Sequence, residues 1–116
     1  MKTLASLAIF AVALIHIYIL ILEMFLWERP AGLRAFNMDE DFAAATRVLA
    51  ANQGLYNGFL AAGLIWGLWT GSAAIQKFFL GCVLVAGIYG ALTAHARILL
   101  VQALPALLAL ILVWLS

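Results

Sequence analysis

The sequence predicts an all-α membrane protein, a four-transmembrane-helix bundle with one longer polar loop after the first helix. Three observations predict it. Of 116 residues, 68% are hydrophobic and 9% charged, against about 25% charged in a soluble domain, so the chain has too little polar surface to cover itself in water. Of its eleven charged residues, seven fall between Glu28 and Arg47. The apolar run before that loop, Leu4 to Trp27, exceeds the ~20 residues that cross a hydrocarbon core.

The chain reads as one domain, 1–116, with spans at about 4–27, 48–70, 78–94 and 98–115. The first run is too long for the apolar core of a signal peptide and contains Glu23, so it is read as a retained helix. Trp27 suits an interface, and Pro30 marks the expected helix stop. In the loop, Ala31-Gly32 and Asn37 are turn-prone. Asp39, Glu40 and Asp41 sit where a helix start prefers negative charge. That start leads either to a short amphipathic helix over 39–51 or to a water-exposed extension of the second span. The second span carries Gly54 and Gly63, about 900° apart on a helical wheel and therefore on opposite sides. Small residues on both sides predict a helix packed on two faces, with Trp66 and Trp69 at its far interface. Gly71-Ser72-Ala73-Ala74 predicts a short turn. The turn between the third and fourth spans has neither Gly nor Pro, while Pro105 predicts a kink inside the fourth.

The polar residues are few and patterned. Asn52-Gln53-Gly54-Leu55-Tyr56-Asn57-Gly58 sets three amides, a phenol and two glycines in an apolar region. His16 falls near the middle of the first span. Glu23, seven residues on, lies about 10 Å nearer the loop and about 20° from alignment with His16, so the two share a face. Tyr89, Thr93 and Arg97 repeat at four-residue spacing, and Gln102 opens the fourth span. With alternating spans, one half of the bilayer receives His16, Glu23, Asn52, Gln53, Tyr56, Asn57, Tyr89, Thr93, Arg97 and Gln102. The expectation is a polar pocket there, centred on Glu23 and the Asn52–Asn57 block. An intramembrane Glu marks a functional site by default, and Arg97 or His16 is its natural partner. Plainer roles stand beside these. The amides serve as interhelical glue at about 1 kcal/mol each, His16 as a satisfied core histidine, Glu23 as an interfacial carboxylate, Arg97 as a positive-inside loop residue, and Tyr89 and Thr93 as packing.

Other classes are excluded. Cys82 is the only cysteine, which rules out an internal disulfide or a zinc cage, and no metal or cofactor is expected. No basic cluster suits nucleic acid, and no Rossmann glycine fingerprint is present. Arg29, Arg34, Arg47 and Arg97 lie on the loop side, against Lys2 and Lys77 on the other. The positive-inside rule then favours a cytoplasmic loop 28–47.

His16-x-Tyr18-Ile19, then Leu22-Glu23-Met24-Phe25, then Asn52 through Gly63 resemble the bacterial domain-of-unknown-function family 1304. The resemblance covers essentially the whole chain. It implies a small four-span protein of the bacterial inner membrane with His16, Glu23, Asn52, Gln53, Tyr56 and Asn57 as signature positions, and it brings no established activity. Three functions fit the residues. The first is binding or transport of a small amphipathic molecule at the Glu23 pocket. The second is an intramembrane isomerase or cyclase with His16 and Glu23 as catalytic acid and base. The third is a structural subunit of a membrane complex. The expected partners are the lipid bilayer, a small amphipathic ligand and a second copy of the chain.

Overall fold

A computed structural model describes residues 1–116, an all-helical chain with short turns between the helices and no strand. The helices are α1 (Lys2–Met24), α2 (Pro30–Ala35), α3 (Glu40–Thr70), α4 (Ala73–Thr93) and α5 (Leu104–Leu115); a π-turn, Leu99–Ala103, runs directly into α5. Two of them, α1 and α4, are long and apolar enough to cross a membrane. At ~1.5 Å per residue, α3 is longest, about 46 Å, but its three amides, its glycines and its charged amino end dilute its hydropathy. Leu99–Leu115 is apolar but shorter.

The bounds differ from the expected spans for identifiable reasons. α1 stops at Met24, before Trp27, and Pro30 opens α2 at its first position instead of closing α1. Proline suits a first helical turn because its missing N–H would have no partner there. The acidic stretch starts one continuous helix: Asp39 Oδ1 accepts the Phe42 N–H at 2.7 Å, and α3 then runs unbroken to Thr70. That resolves the choice at 39–51 as an extension of the long helix. α4 begins at Ala73, earlier than residue 78, because the Ser72 hydroxyl caps it by accepting the Ile75 N–H. Lys77 is thereby taken into the helix, with its ammonium 3.6 Å from the centre of the Trp114 ring, a cation–π contact.

By packing, the chain divides into two units: Met1–Ile15 with Leu60–Ser116, and His16–Phe59. In the first, Ala5, Ile9, Val12 and Ala13 of α1 join Leu64, Leu80, Val83, Ala106, Ala109 and Val113 in one buried core. Gly63 lies flat against the Phe79 ring, leaving no room for a Cβ. Gly71, at φ +65°, turns the chain out of α3, a conformation that costs glycine nothing. Gln76 Nε2 then donates to the Gly67 carbonyl at 2.9 Å, supplying a donor to the end of α3.

The sequence shows no turn residue between α4 and α5, and the structure supplies an unexpected one. Here the His95 Nδ1 accepts the Arg97 N–H at 3.0 Å, closing a turn through a side chain. The kink expected at Pro105 takes the form of the π-turn, in which the Leu104 N–H reaches back to Leu99 O. Proline has no N–H to give the carbonyl four residues back, and widening the preceding turn accommodates its ring. The widened turn is seated on α4. Gln102 Nε2 donates to Val83 O at 3.2 Å, and a Cβ on Gly87 would come within 2.8 Å of the Ala103 backbone nitrogen.

Because that contact is with backbone, relief would require the π-turn to move. Gly87→Val is expected to destabilise the fold by about 1–3 kcal/mol through overpacking. Thermal unfolding of the purified variant in detergent checks this; an unchanged midpoint would show that α4 and the π-turn are not in close contact.

Candidate functional site

The second unit is a helical hairpin, α1 from His16 onward and α3 to Phe59, with α2 between them in the chain. Its open end is tied by several modest contacts. Gly32 of α2 lies against the Leu26 and Trp27 carbonyl oxygens, where no Cβ fits. The Trp27 ring meets Phe36 at 4.9 Å between centroids, and its Nε1 donates to Thr46 Oγ1 at 3.1 Å. Asn37, at φ +52°, turns the chain out of α2. Arg47 and Glu28 form a salt bridge at 3.7 Å between exposed side chains, worth at most about 1 kcal/mol.

Inside the hairpin, α3 presents a seven-residue repeat of small or inward residues: Ala43, Ala50, Asn57 and, offset by four, Gly54. Ala43, Ala50 and Gly54 are buried. Gly54 brings the helices close: a Cβ there would lie 2.6 Å from Met24 Cγ and 3.1 Å from Glu23 Cβ. Asn57, one turn on, is the polar member of this stripe. Its Nδ2 donates to Glu23 Oε1 at 2.7 Å, a part-buried bond between residues 34 apart in sequence. Asn57 occupies the role that the sequence offered to Arg97 or His16. The molecule's salt bridge is Arg47–Glu28, so Glu23 is held by a neutral amide.

The other predicted site residues divide. His16 is completely buried, on the same face as Glu23 as its spacing required, and about 10 Å along the helix from it. Tyr18 is exposed. Asn52, Gln53 and Tyr56 do not join Glu23; all three are exposed on the outside of the hairpin. Asn52 Nδ2 donates to Val48 O of its own helix at 2.9 Å, and the Tyr56 ring lies 6.1 Å from that of Phe59. For Asn52 and Tyr56 the reason is angular: they precede Asn57 by five residues and by one, about 140° and 100° around the helix.

In the first unit, Tyr89 is 68% exposed, and Thr93 returns its hydroxyl to Tyr89 O at 2.7 Å. Arg97 lies beyond the end of α4, exposed, in the His95 turn. The expected four-residue ladder of Tyr89, Thr93 and Arg97 therefore breaks at Thr93, because the helix ends there. Gln102 serves as glue to α4. Two residues with structural roles were not singled out from sequence, His95 and Gln76. A histidine or glutamine within three residues of a helix end is the signal that could have found them.

The match to known proteins is broad. The family model described as "Protein of unknown function (DUF1304)" matches residues 10–114. A curated relative, "Uncharacterized protein YpaA" of Lactococcus lactis subsp. lactis (strain IL1403), is 36% identical over 104 residues, covering 86% of this chain and 87% of its own length. No solved structure matches the chain.

Deleting the donor tests the site itself. Asn57→Leu leaves a part-buried carboxylate without its hydrogen bond and should cost about 1–3 kcal/mol. Thr93→Val, which loses only an exposed bond within its own helix, should stay within about 0.5 kcal/mol. Thermal unfolding of both in the same detergent gives the comparison, and equal midpoints would mean the Glu23–Asn57 bond contributes nothing.

Proposed function

We propose, for a chain that belongs to the DUF1304 family of proteins of unknown function, a multi-pass protein of the bacterial inner membrane that binds a small amphipathic cation at Glu23. Membrane residence is supported by α1 and α4, each long and apolar enough to cross, and by the bulk apolar surface left outside. Trp69 is 88% exposed and Leu92 81%, and faces of that kind associate in water but suit lipid. On this reading α3 and Leu99–Leu115 complete four spans. The loop 28–47 faces the cytoplasm by its arginine excess.

The observation that carries the ligand proposal is the company Glu23 keeps. Its carboxylate is part-buried, one oxygen takes the Asn57 amide, and the pairing is with a neutral group. An ionised carboxylate in an apolar setting favours a cation that can lie beside it. The surrounding side chains, Leu20, Met24 and the Gly54 surface, are apolar. A ligand with one positive centre and an apolar body matches that mixture. Transport would use the same recognition step.

The acid–base alternative finds less support. His16 is completely buried and about 10 Å along α1 from Glu23, so the two would have to act from opposite ends of a substrate. A purely structural role for Glu23 remains the competitor, and one substitution separates the two. Glu23→Gln keeps an acceptor oxygen for Asn57 and removes the charge. In nanodiscs, isothermal titration with tetraphenylphosphonium should give binding by the native chain that weakens on acidification. Glu23→Gln should bind at least ten-fold more weakly with its unfolding midpoint retained. Equal affinity in the two proteins would leave Glu23 as a clasp and nothing more.

A further inference from the structure

The turn between α4 and α5 is closed by an imidazole, and an imidazole titrates. α4 ends where the Ala94 and His95 N–H groups both bond to Gly90 O, at 2.8 and 3.2 Å. The chain then rewinds at once. Ile98 N–H bonds to His95 O at 3.1 Å, Leu99 N–H to Ala96 O at 3.0 Å, and Leu100 N–H to Arg97 O at 3.1 Å. His95 therefore stands where a capping residue stands, just outside a helical turn whose first bond its own carbonyl accepts. The side chain completes the role. Nδ1 accepts the Arg97 N–H at 3.0 Å, the second backbone donor after the cap and one that an Asn, Asp or Ser oxygen takes at such a position.

We infer that His95 is a proton-operated cap: neutral, it holds the first turn of the last helical segment closed, and protonated it lets that turn open. The chemistry lies in one lone pair. Nδ1 accepts a hydrogen bond only while it carries no proton, so the neutral ring must keep its proton on Nε2. A second proton fills the lone pair and sets Nδ1 as a donor against the Arg97 donor. The new charge also falls at the amino end of a helical segment, where the backbone already presents its positive pole. It lies two residues from the Arg97 guanidinium as well. All three effects act in one direction. No carboxylate offsets them, since the molecule's ion pair is Arg47–Glu28. On α4 the titratable side chains are Lys77, Cys82 and Tyr89, and the chain beyond Arg97 has none. Lys77 is engaged with Trp114 near the other end of α4. Histidine changes charge between about pH 5 and 8. The folded turn requires the neutral form, so the cap is present at the upper end of that window and is lost as the pH falls.

The opening is local. Downstream, Gln102 Nε2 holds Val83 O at 3.2 Å and Ala103 lies against Gly87, and neither contact titrates. What is loosened is the stretch 95–98, including Ile98, whose side chain lies over Gly90.

This device operates whatever Glu23 binds. To test it, a nitroxide is placed at exposed position 96 by Ala96→Cys in a Cys82→Ala background, which removes the other thiol. In nanodiscs its electron paramagnetic resonance spectrum should show a mobile fraction several-fold larger at about pH 5 than at about pH 8. Adding His95→Asn, an amide cap that does not titrate, should hold the low value at both ends. Adding His95→Ala, which has no acceptor, should give the high value at both. Heteronuclear NMR of the His95 ring in the native chain should show the Nε2–H tautomer in the neutral form. A mobile fraction that does not change with pH overturns the proposal. So does an acid response that persists in His95→Asn, or a neutral ring protonated on Nδ1.

Discussion

Two apolar helices that close around a carboxylate must provide it with a donor, because an ionised oxygen removed from water without one is far costlier than any contact the helices gain. In the hairpin His16–Phe59 that donor is Asn57, whose amide reaches Glu23 at 2.7 Å. The bond fixes more than a pair of side chains. It sets the register of α3 against α1, since sliding either helix by one residue would rotate the amide away by about 100°. It also requires close approach, and Gly54 provides it one turn earlier by letting α3 rest on the Glu23 and Met24 side chains.

The same economy of small residues recurs in the other unit. Gly63 accepts the flat face of Phe79, and Gly87 accepts the backbone of the π-turn. In each case a larger residue would separate helices whose association depends on van der Waals contact and a few interhelical hydrogen bonds. The polar contributions there are also glue: Gln102 binds the Val83 carbonyl and Gln76 the Gly67 carbonyl. Amides therefore do two jobs in this chain. At Gln76 and Gln102 they complete backbone hydrogen bonding, and at Asn57 they position a carboxyl group.

Much of this arrangement was legible beforehand, and the reasons are physical. Helical content followed from apolar runs interrupted by one charged loop. The shared face of His16 and Glu23 followed from a seven-residue spacing, and the two-sided packing of α3 from Gly54 and Gly63, which do contact different helices. The errors came where local chemistry competes. Pro30 was read as a stop when a proline serves equally well as a start. The turn after α4 was hidden because a histidine side chain closes it. The partner of Glu23 was sought among charged residues, although the stripe that carries Asn57 could be counted from Ala43 and Ala50.

Nearness along the chain is a poor guide to nearness in space. Asn52, Gln53, Tyr56 and Asn57 sit within six residues, yet a helix spreads six residues around more than a full turn. One amide faces α1 and the others face outward. This division limits the chemistry available inside the hairpin. The hairpin interior holds a carboxylate, one amide and apolar neighbours. It also gives the outward amides a different physical task. A polar group on an apolar helix face is tolerated where something answers its hydrogen bonds, and Asn52 finds that answer in its own helix, at Val48 O.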